Sequence, residues 1–337
     1  MLRVLGFRID VRVVVTAAVL GILALACGFV ALLLGEFDLT PADVFAGLFG
    51  QAERRIVNIV VAEWRAPRVL AGIILGAGLG VSGAVFQSLT RNPLGSPDII
   101  GFSTGAYTGG ILTILVFGAG YLSTAAGAVI GGLATAVLVY LLTWKGGVQG
   151  FRLIIVGIAL TAMLGAFNTW LIMRADLDLA MAAATWGAGT LNAMGWETII
   201  PAGIATIVLT IACGLFSRDL STLELGDDTA KALGVRNEPV RAALILCGVA
   251  LVAVVTAAAG PIAFVALAAP QIGRRIARAQ GTSLLSAAAV GALLLVAADL
   301  IAQHALGDIQ LPVGVVTVCI GGIYLIWLLV HEARKAL

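Results

Sequence analysis

The sequence predicts an all-α, polytopic membrane protein with about ten transmembrane helices. Its 337 residues are 61% hydrophobic and only 11% charged, whereas globular chains average about 25% charged residues. Mean hydropathy is +1.08, which is more apolar surface than a soluble domain can bury. Because a spanning helix needs about 20 apolar residues, a chain of this length accommodates about ten spans with short loops.

The apolar runs divide the chain in order, with polar segments between them. We assign the spans to residues 13–34, 68–89, 99–117, 122–143, 153–173, 199–216, 242–259, 262–276, 284–302 and 313–330. The first connection, 35–63, is polar, and Thr40-Pro41 predicts the start of a short amphipathic helix there. Small residues fill the second span, which favours close helix packing in lipid. A second sizeable outer segment covers 174–197.

The distribution of basic residues predicts the orientation in the membrane. With the N-terminus in the cytoplasm, 15 of the 20 Lys and Arg residues fall on the inner side, as the positive-inside rule requires. An even number of spans also returns the C-terminus to the cytoplasm. We therefore expect one transmembrane domain over residues 1–337, with the polar segment 217–241 on the cytoplasmic side.

Segment 217–241 is the longest polar interruption in the chain. Residues 229–233 can form a short helix, which Gly234 would end in a left-handed conformation. Asp227 and Asp228 sit at its N-terminus, where the helix dipole favours negative charge. The pattern indicates a docking element on the aqueous face; an ordinary structured loop is the alternative.

Two outer arginines run against the inward bias. Arg65 and Arg68 flank Pro67 at the mouth of the second span. Forked guanidinium donors suit the carboxylates of an acidic partner. The alternative is that both side chains anchor the helix at the membrane interface.

Polar residues inside the spans are few, and the main ones are Gln87, Asn168, Asp299 and Gln303. Such groups face the bundle interior or a water path. Asp299 is the one acid well inside an apolar run, and it is either a proton relay or a carboxylate bonded to a neighbouring helix. The chain shows no metal-ligand spacing and no Gly-rich phosphate loop. We expect no metal site and no enzyme activity, so the energy for transport comes from another chain or an ion gradient.

Several motifs carry a family resemblance over nearly the full length. They are RAPRVL (65–70), GAGLGVSGAVFQS (76–88), RNPLGSPD (91–98), GPIAFVALAAP (260–270) and LPVGVVT (311–317). The chain resembles the iron-siderophore and vitamin B12 branch of ABC importer permeases. A closer similarity, to permeases of ferric enterobactin importers, rests on residues 92–101, 151–157, 166–171, 225–233 and 310–326.

The resemblance implies a permease in the cell (inner, cytoplasmic) membrane that moves a ferric siderophore, a catecholate of the enterobactin type. The implied partners are a second, unlike permease subunit, an ABC ATPase dimer that uses ATP and Mg²⁺, and an extracytoplasmic substrate-binding protein. No cofactor is bound by this chain, and no nucleic acid is a partner. Hydroxamate or mixed-ligand siderophores, haem and cobalamin are alternative cargoes. An ion-coupled secondary transporter and a scaffold or sensor subunit are alternatives of other classes.

The resemblance also assigns roles to residues. It implies docking of the binding protein on Arg65 and Arg68, with Gln303 in place of a third arginine. ATPase coupling falls on Leu223, Glu224, Gly226, Asp227, Asp228, Ala232, Leu233 and Gly234. Span five and segment 182–191 would line or gate the path, for which the candidate residues are Gln87, Asn92, Pro93, Asn168, Trp186, Asp299 and Gln303. A Pro-His pair of the family is replaced by Pro270-Gln271.

Overall fold

A computed structural model describes residues 2–4, 7–35, 37–118, 120–143, 150–192, 194–279, 281–307 and 309–336. The helices are α1 (Val11–Leu33), α2 (Pro41–Leu48), α3 (Arg55–Asn58), a π-helix (Ile59–Arg65), α4 (Ala66–Thr90), α5 (Phe102–Phe117), α6 (Tyr121–Thr143), α7 (Gly150–Arg174), α8 (Leu177–Gly187), α9 (Trp196–Leu215), α10 (Ser217–Glu224), α11 (Asp227–Ala232), α12 (Asn237–Ala259), α13 (Val265–Ala277), α14 (Leu284–His304) and α15 (Val313–Ala336). Two short antiparallel strands, β1 (Leu2–Val4) and β2 (Phe7–Ile9), pair Leu2 with Ile9 at the N-terminus. The helical membrane fold is confirmed, and the small hairpin is an addition to it.

Seven helices of the described residues are long and apolar enough to cross a membrane. Two shorter apolar helices, Phe102–Phe117 and Val313–Trp327, add to them. The predicted span 262–276 differs most from expectation. Its helix, α13, has 13 residues, which is about 20 Å of rise. The chain reaches α13 through a non-helical stretch that ends at Phe264, whose φ is 70°.

Helix α4 lies at the centre of the bundle. Every residue from Gly78 to Thr90 is buried, and α14, α12, α13 and α9 pack around it. Glycines allow the closest approach: a Cβ added to Gly76 would lie 2.5 Å from the carbonyl oxygen of Gly291 in α14. A Cβ on Gly83 would overlap the carbonyl of Ala266 in α13. The prediction that small residues bring helices together is confirmed.

The helix that contains span two begins earlier than predicted. Residues 55–63, assigned to the outer loop, are helical, and the helix continues through the end of the π-helix at Arg65 directly into α4. Val57 and Val61 explain the difference, because they are buried against Leu32 of α1 and Val44 of α2. The expected helix after Thr40 is confirmed as α2, whose capping box joins the side chains and backbone N–H groups of Thr40 and Asp43.

Candidate functional site

The candidate coupling segment, residues 217–236, forms two short helices before α12. Gly226, with φ of 117°, separates α10 from α11, and Gly234, with φ of 86°, follows α11 in the left-handed region. The predicted stop at Gly234 is confirmed. The helix begins at Asp227 rather than at residue 229, and α12 begins at Asn237 rather than at residue 242.

The coupling segment has an inner and an outer face. Leu223 and Ala230 are fully buried and join the core cluster that contains Leu244 of α12. Leu225 and Leu233 are 67% and 65% exposed. Large apolar side chains this exposed on an aqueous face are typical of a surface that a partner covers.

Asp227 ties the coupling segment to two transmembrane helices. Its carboxylate accepts hydrogen bonds from Arg91, which follows α4, and from Nη2 of Arg241 in α12 at 3.0 Å. Its backbone carbonyl accepts from Nδ2 of Asn237 at 2.8 Å. Burial raises the pKa of the Asp227 carboxyl, but the charge of Arg241 and the hydrogen bond from Arg91 outweigh it, so the net pKa lies below its ordinary value.

Glu224 makes a second connection. Its Oε1 accepts a 2.5 Å hydrogen bond from the Ser88 hydroxyl of α4, and its Oε2 accepts from the backbone N–H of Thr282 at 3.4 Å. These groups line a polar cavity of about 220 Å³ that Arg91 and Arg274 also border. Sequence reasoning counted Arg91 and Arg241 only as inner charges; only their contacts reveal them as partners of Asp227.

At the opposite end of the bundle, Arg68 and Asp299 form a bidentate ion pair. Nε and Nη2 of Arg68 each donate to one carboxylate oxygen at 2.8 Å, and Nε2 of Gln303 donates to the same carboxylate at 2.8 Å. The side chains are 13% and 6% exposed. Asp299 has an ionic partner because Arg68 begins the facing helix, and of the two roles predicted for Asp299 the carboxylate bonded to a neighbouring helix is confirmed.

Arg65 is held inside the chain as well. Its Nη1 donates to the carbonyl oxygens of Leu32 at 2.8 Å and Leu33 at 3.3 Å, which are free acceptors at the end of α1. Its docking role, like that of Arg68, stays a prediction. Arg54 and Arg55, in the same outer segment as Arg65, are exposed.

The candidate path residues near the inner end contact α13. Nε2 of Gln87 donates to the carbonyl of Leu267 at 2.8 Å. Pro93 accepts a 2.7 Å hydrogen bond from Gln271, the residue that replaces the family's histidine. The side chain of Asn92 caps the turn by accepting from the N–H of Leu94 at 2.9 Å. Gln87 and Pro93 therefore hold the α4–α5 turn against α13, and Asn92 stabilises the turn itself.

The other path candidates lie on α7 and α8. Trp186 stacks on Tyr107 of α5 with ring centroids 5.7 Å apart. Asn168 is 3% exposed, and neither polar atom of its amide has a hydrogen-bond partner. Their gating role stays a prediction.

A mostly apolar cavity of about 460 Å³ opens beside α7. Ile158 and Thr161 of α7 line it, together with Phe264 and Asp98. The Asp98 carboxylate accepts a 2.5 Å hydrogen bond from Ser103, and its Oδ2 has no partner. Sequence reasoning passed over Asp98, because it read this residue only as part of a motif. Within the described part of the chain, no three His, Cys, Asp or Glu side chains gather as metal ligands.

Comparison with known proteins adds the family. The FecCD transport family matches residues 22–331. The chain belongs to this family. Ferric enterobactin transport system permease protein FepG of Escherichia coli is 49% identical over 96% of this chain and 98% of its own length. Iron(3+)-hydroxamate import system permease protein FhuG of Bacillus subtilis is 34% identical over 94% and 96% of the two chains. An inward-facing structure of a metal-chelate type ABC transporter superposes with a TM-score of 0.82 at 28% identity, covering 94% of this chain and 98% of that one.

Membership of the FecCD family confirms the resemblance seen in the motifs. The chain is a multi-pass membrane permease of this family, and its relatives are transport subunits rather than enzymes. The family match spans both ends of the fold described above, so the coupling segment and the outer ion pair both lie within the shared architecture.

Proposed function

We propose that this chain is a permease subunit of an ATP-driven ABC importer that moves a ferric siderophore, an enterobactin-like catecholate, across the cytoplasmic membrane. The observation that carries the proposal is its 49% identity to FepG over 96% of the chain. Relatives that import iron(3+)-hydroxamate or hemin are 34–36% identical, which favours the catecholate over these cargoes.

The energy enters through the coupling segment. A separate ATPase dimer binds ATP and Mg²⁺ and contacts the exposed face that carries Leu225 and Leu233. The buried face, with Leu223 and Ala230, transmits the movement into the bundle. A packed interface of this kind has discrete arrangements rather than continuous deformability.

The translocation path runs between this chain and a second, unlike permease subunit. The exposed side of α7 supports this, because Phe151, Ile155, Ile158, Met163 and Trp170 are 51–76% exposed along the helix. A second subunit that covers part of this face would enclose the cavity beside α7. The siderophore saturates its iron, so the chain needs no metal ligands for transport.

A substrate-binding protein delivers the cargo to the outer face. Arg65 and Arg68 remain the candidate contacts, but both are engaged within the chain, and Arg54 and Arg55 are exposed beside them. The test measures binding of the substrate-loaded binding protein to two variant complexes, R65E and R54E/R55E, at low and high salt. It shows which of these arginines contact the binding protein. Weaker binding of R65E alone supports the docking role of Arg65, and unchanged binding of R65E contradicts it.

Reconstituted transport tests the proposed function. The chain is placed in proteoliposomes with its partner permease, ATPase and binding protein, and uptake of radio-iron is compared for ferric catecholates, ferric hydroxamates and labelled cobalamin. We expect uptake of a ferric catecholate that stops when ATP is omitted. Uptake without ATP that collapses with the proton gradient would show secondary transport instead; the ion pair between Asp299 and Arg68 disfavours that outcome, because it occupies the carboxylate.

A further inference from the structure

The coupling residues expected from the sequence divide into two groups in the structure. Leu233 and Asp228 are exposed on the aqueous side, whereas Asp227, Glu224 and Leu223 reach into the membrane domain. The Asp227 side chain is 44% exposed, but two arginines of this chain already engage its carboxylate. The second group contacts elements of this chain itself.

Asp227 occupies the junction of three elements. It belongs to the first turn of α11, it pairs with Arg91 directly after α4, and it pairs with Arg241 in the first turns of α12. The Arg241 side chain is only 6% exposed. A guanidinium in that position stays charged, and the Asp227 carboxylate, on a side chain that is 44% exposed, supplies counter-charge to it at 3.0 Å; Glu238, at 4.0 Å, is more distant.

Arg91 contacts both short helices of the coupling segment, α10 and α11. It ends α4 in a left-handed conformation with φ of 49°, and its Nε donates to the carbonyl of Leu223 at 3.0 Å. One guanidinium therefore holds the end of α10 and the start of α11. The last turn of α4 also carries Gln87, which is bonded to Leu267 of α13. Hydrogen bonds and an ion pair therefore form a continuous path from α11 to α4, and from α4 to α13.

We propose that Asp227 is a positioning residue for transport: with Arg91 and Arg241 it links the ATPase-contacting segment to α4 and α12, and it does not itself bind the ATPase. The inference rests on the proposed function. Loss of the Asp227 charge uncouples ATP hydrolysis from substrate movement. It leaves intact the exposed face of the coupling segment, which carries Leu225 and Leu233.

The test uses the full complex in proteoliposomes with D227N, which keeps the side-chain shape and removes the charge. We expect the ATPase to co-purify and hydrolyse ATP at near wild-type rates, while substrate moved per ATP falls about fivefold, the factor that corresponds to the ~1 kcal/mol contributed by a solvent-exposed ion pair such as Arg91–Asp227. D227E retains the charge, and its amount of substrate moved per ATP should lie between those of D227N and the wild type. Asp219→Asn in α10 is the matched control; the described residues place no ion pair on Asp219, and its ratio stays at the wild-type value.

Arg91→Gln removes the other member of the Arg91–Asp227 ion pair. It should lower the amount of substrate moved per ATP as D227N does. The double variant D227N/R91Q should lower it by less than the product of the two single effects, because both changes break the Arg91–Asp227 pair. If D227N does not yield a folded complex, R91Q, whose side chain is 41% exposed, decides alone. A wild-type transport-to-ATP ratio in these variants overturns the proposal, and so does loss of ATPase co-purification in D227N. This outcome differs from a failure of the proposed function, in which the wild-type complex itself would show no ATP-dependent uptake.

Discussion

The ion pair between Arg68 and Asp299 gives the most quantitative prediction for this chain. In Asp299→Leu the guanidinium of Arg68 keeps its charge and loses both 2.8 Å hydrogen bonds in a site where its side chain is 13% exposed. Removing one partner of a buried pair costs about 3–5 kcal/mol, whereas replacing both partners by apolar residues is close to neutral. At about 2 °C per kcal/mol for a chain of this size, Asp299→Leu should lower the Tm by about 6–10 °C.

The assay is thermal unfolding of the purified complex in detergent, followed by the fraction that stays monodisperse after heating. The double variant R68L/D299L should recover most of the lost Tm, because it leaves no unpaired charge. Glu197→Leu, an exposed acid in the first turn of α9, is the control and should shift stability by no more than about 0.5 kcal/mol. An unchanged Tm in Asp299→Leu, or a double variant no more stable than that single variant, would refute the reasoning.

Three further predictions concern packing, ATPase contact and pH. Gly83→Ala places a methyl group on the backbone carbonyl of Ala266 and should abolish folded yield, whereas Gly21→Ala, which meets open space in α1, should purify normally; equal yields contradict the packing. Leu233→Ser should reduce ATPase co-purification with no loss of Tm, and undiminished co-purification argues against the exposed face as the contact. The Asp227 pKa is lowered in the folded chain, so the stability it contributes is present above the ordinary Asp pKa of about 3.9. The Tm difference between wild type and D227N should stay constant from about pH 8 to 5 and shrink only below about pH 4; a difference that disappears between pH 7 and 5 contradicts this.

Local sequence patterns predicted most of the helices because hydrophobicity and capping act over one helix length. The cap at Thr40 and the stop at Gly234 were both readable from neighbouring residues. The boundaries failed where apolar residues outside a span found a partner in another element, as Val57 and Val61 did against α1 and α2. Nothing near these valines in the chain signals that contact.

The sequence by itself determined the membrane class, the positions of most spans, the small-residue packing and the short helix within the polar segment 217–241. Only the tertiary structure decided which charges meet. Arg68 and Asp299 are 231 residues apart, and Arg91 and Asp227 are 136 apart. Such pairs depend on the axial register and rotation of packed helices, which the glycine contacts of α4 set. A charge count along the chain carries no information on that register. It placed Arg91 and Arg241 on the inner side, but it could not show that both pair with Asp227.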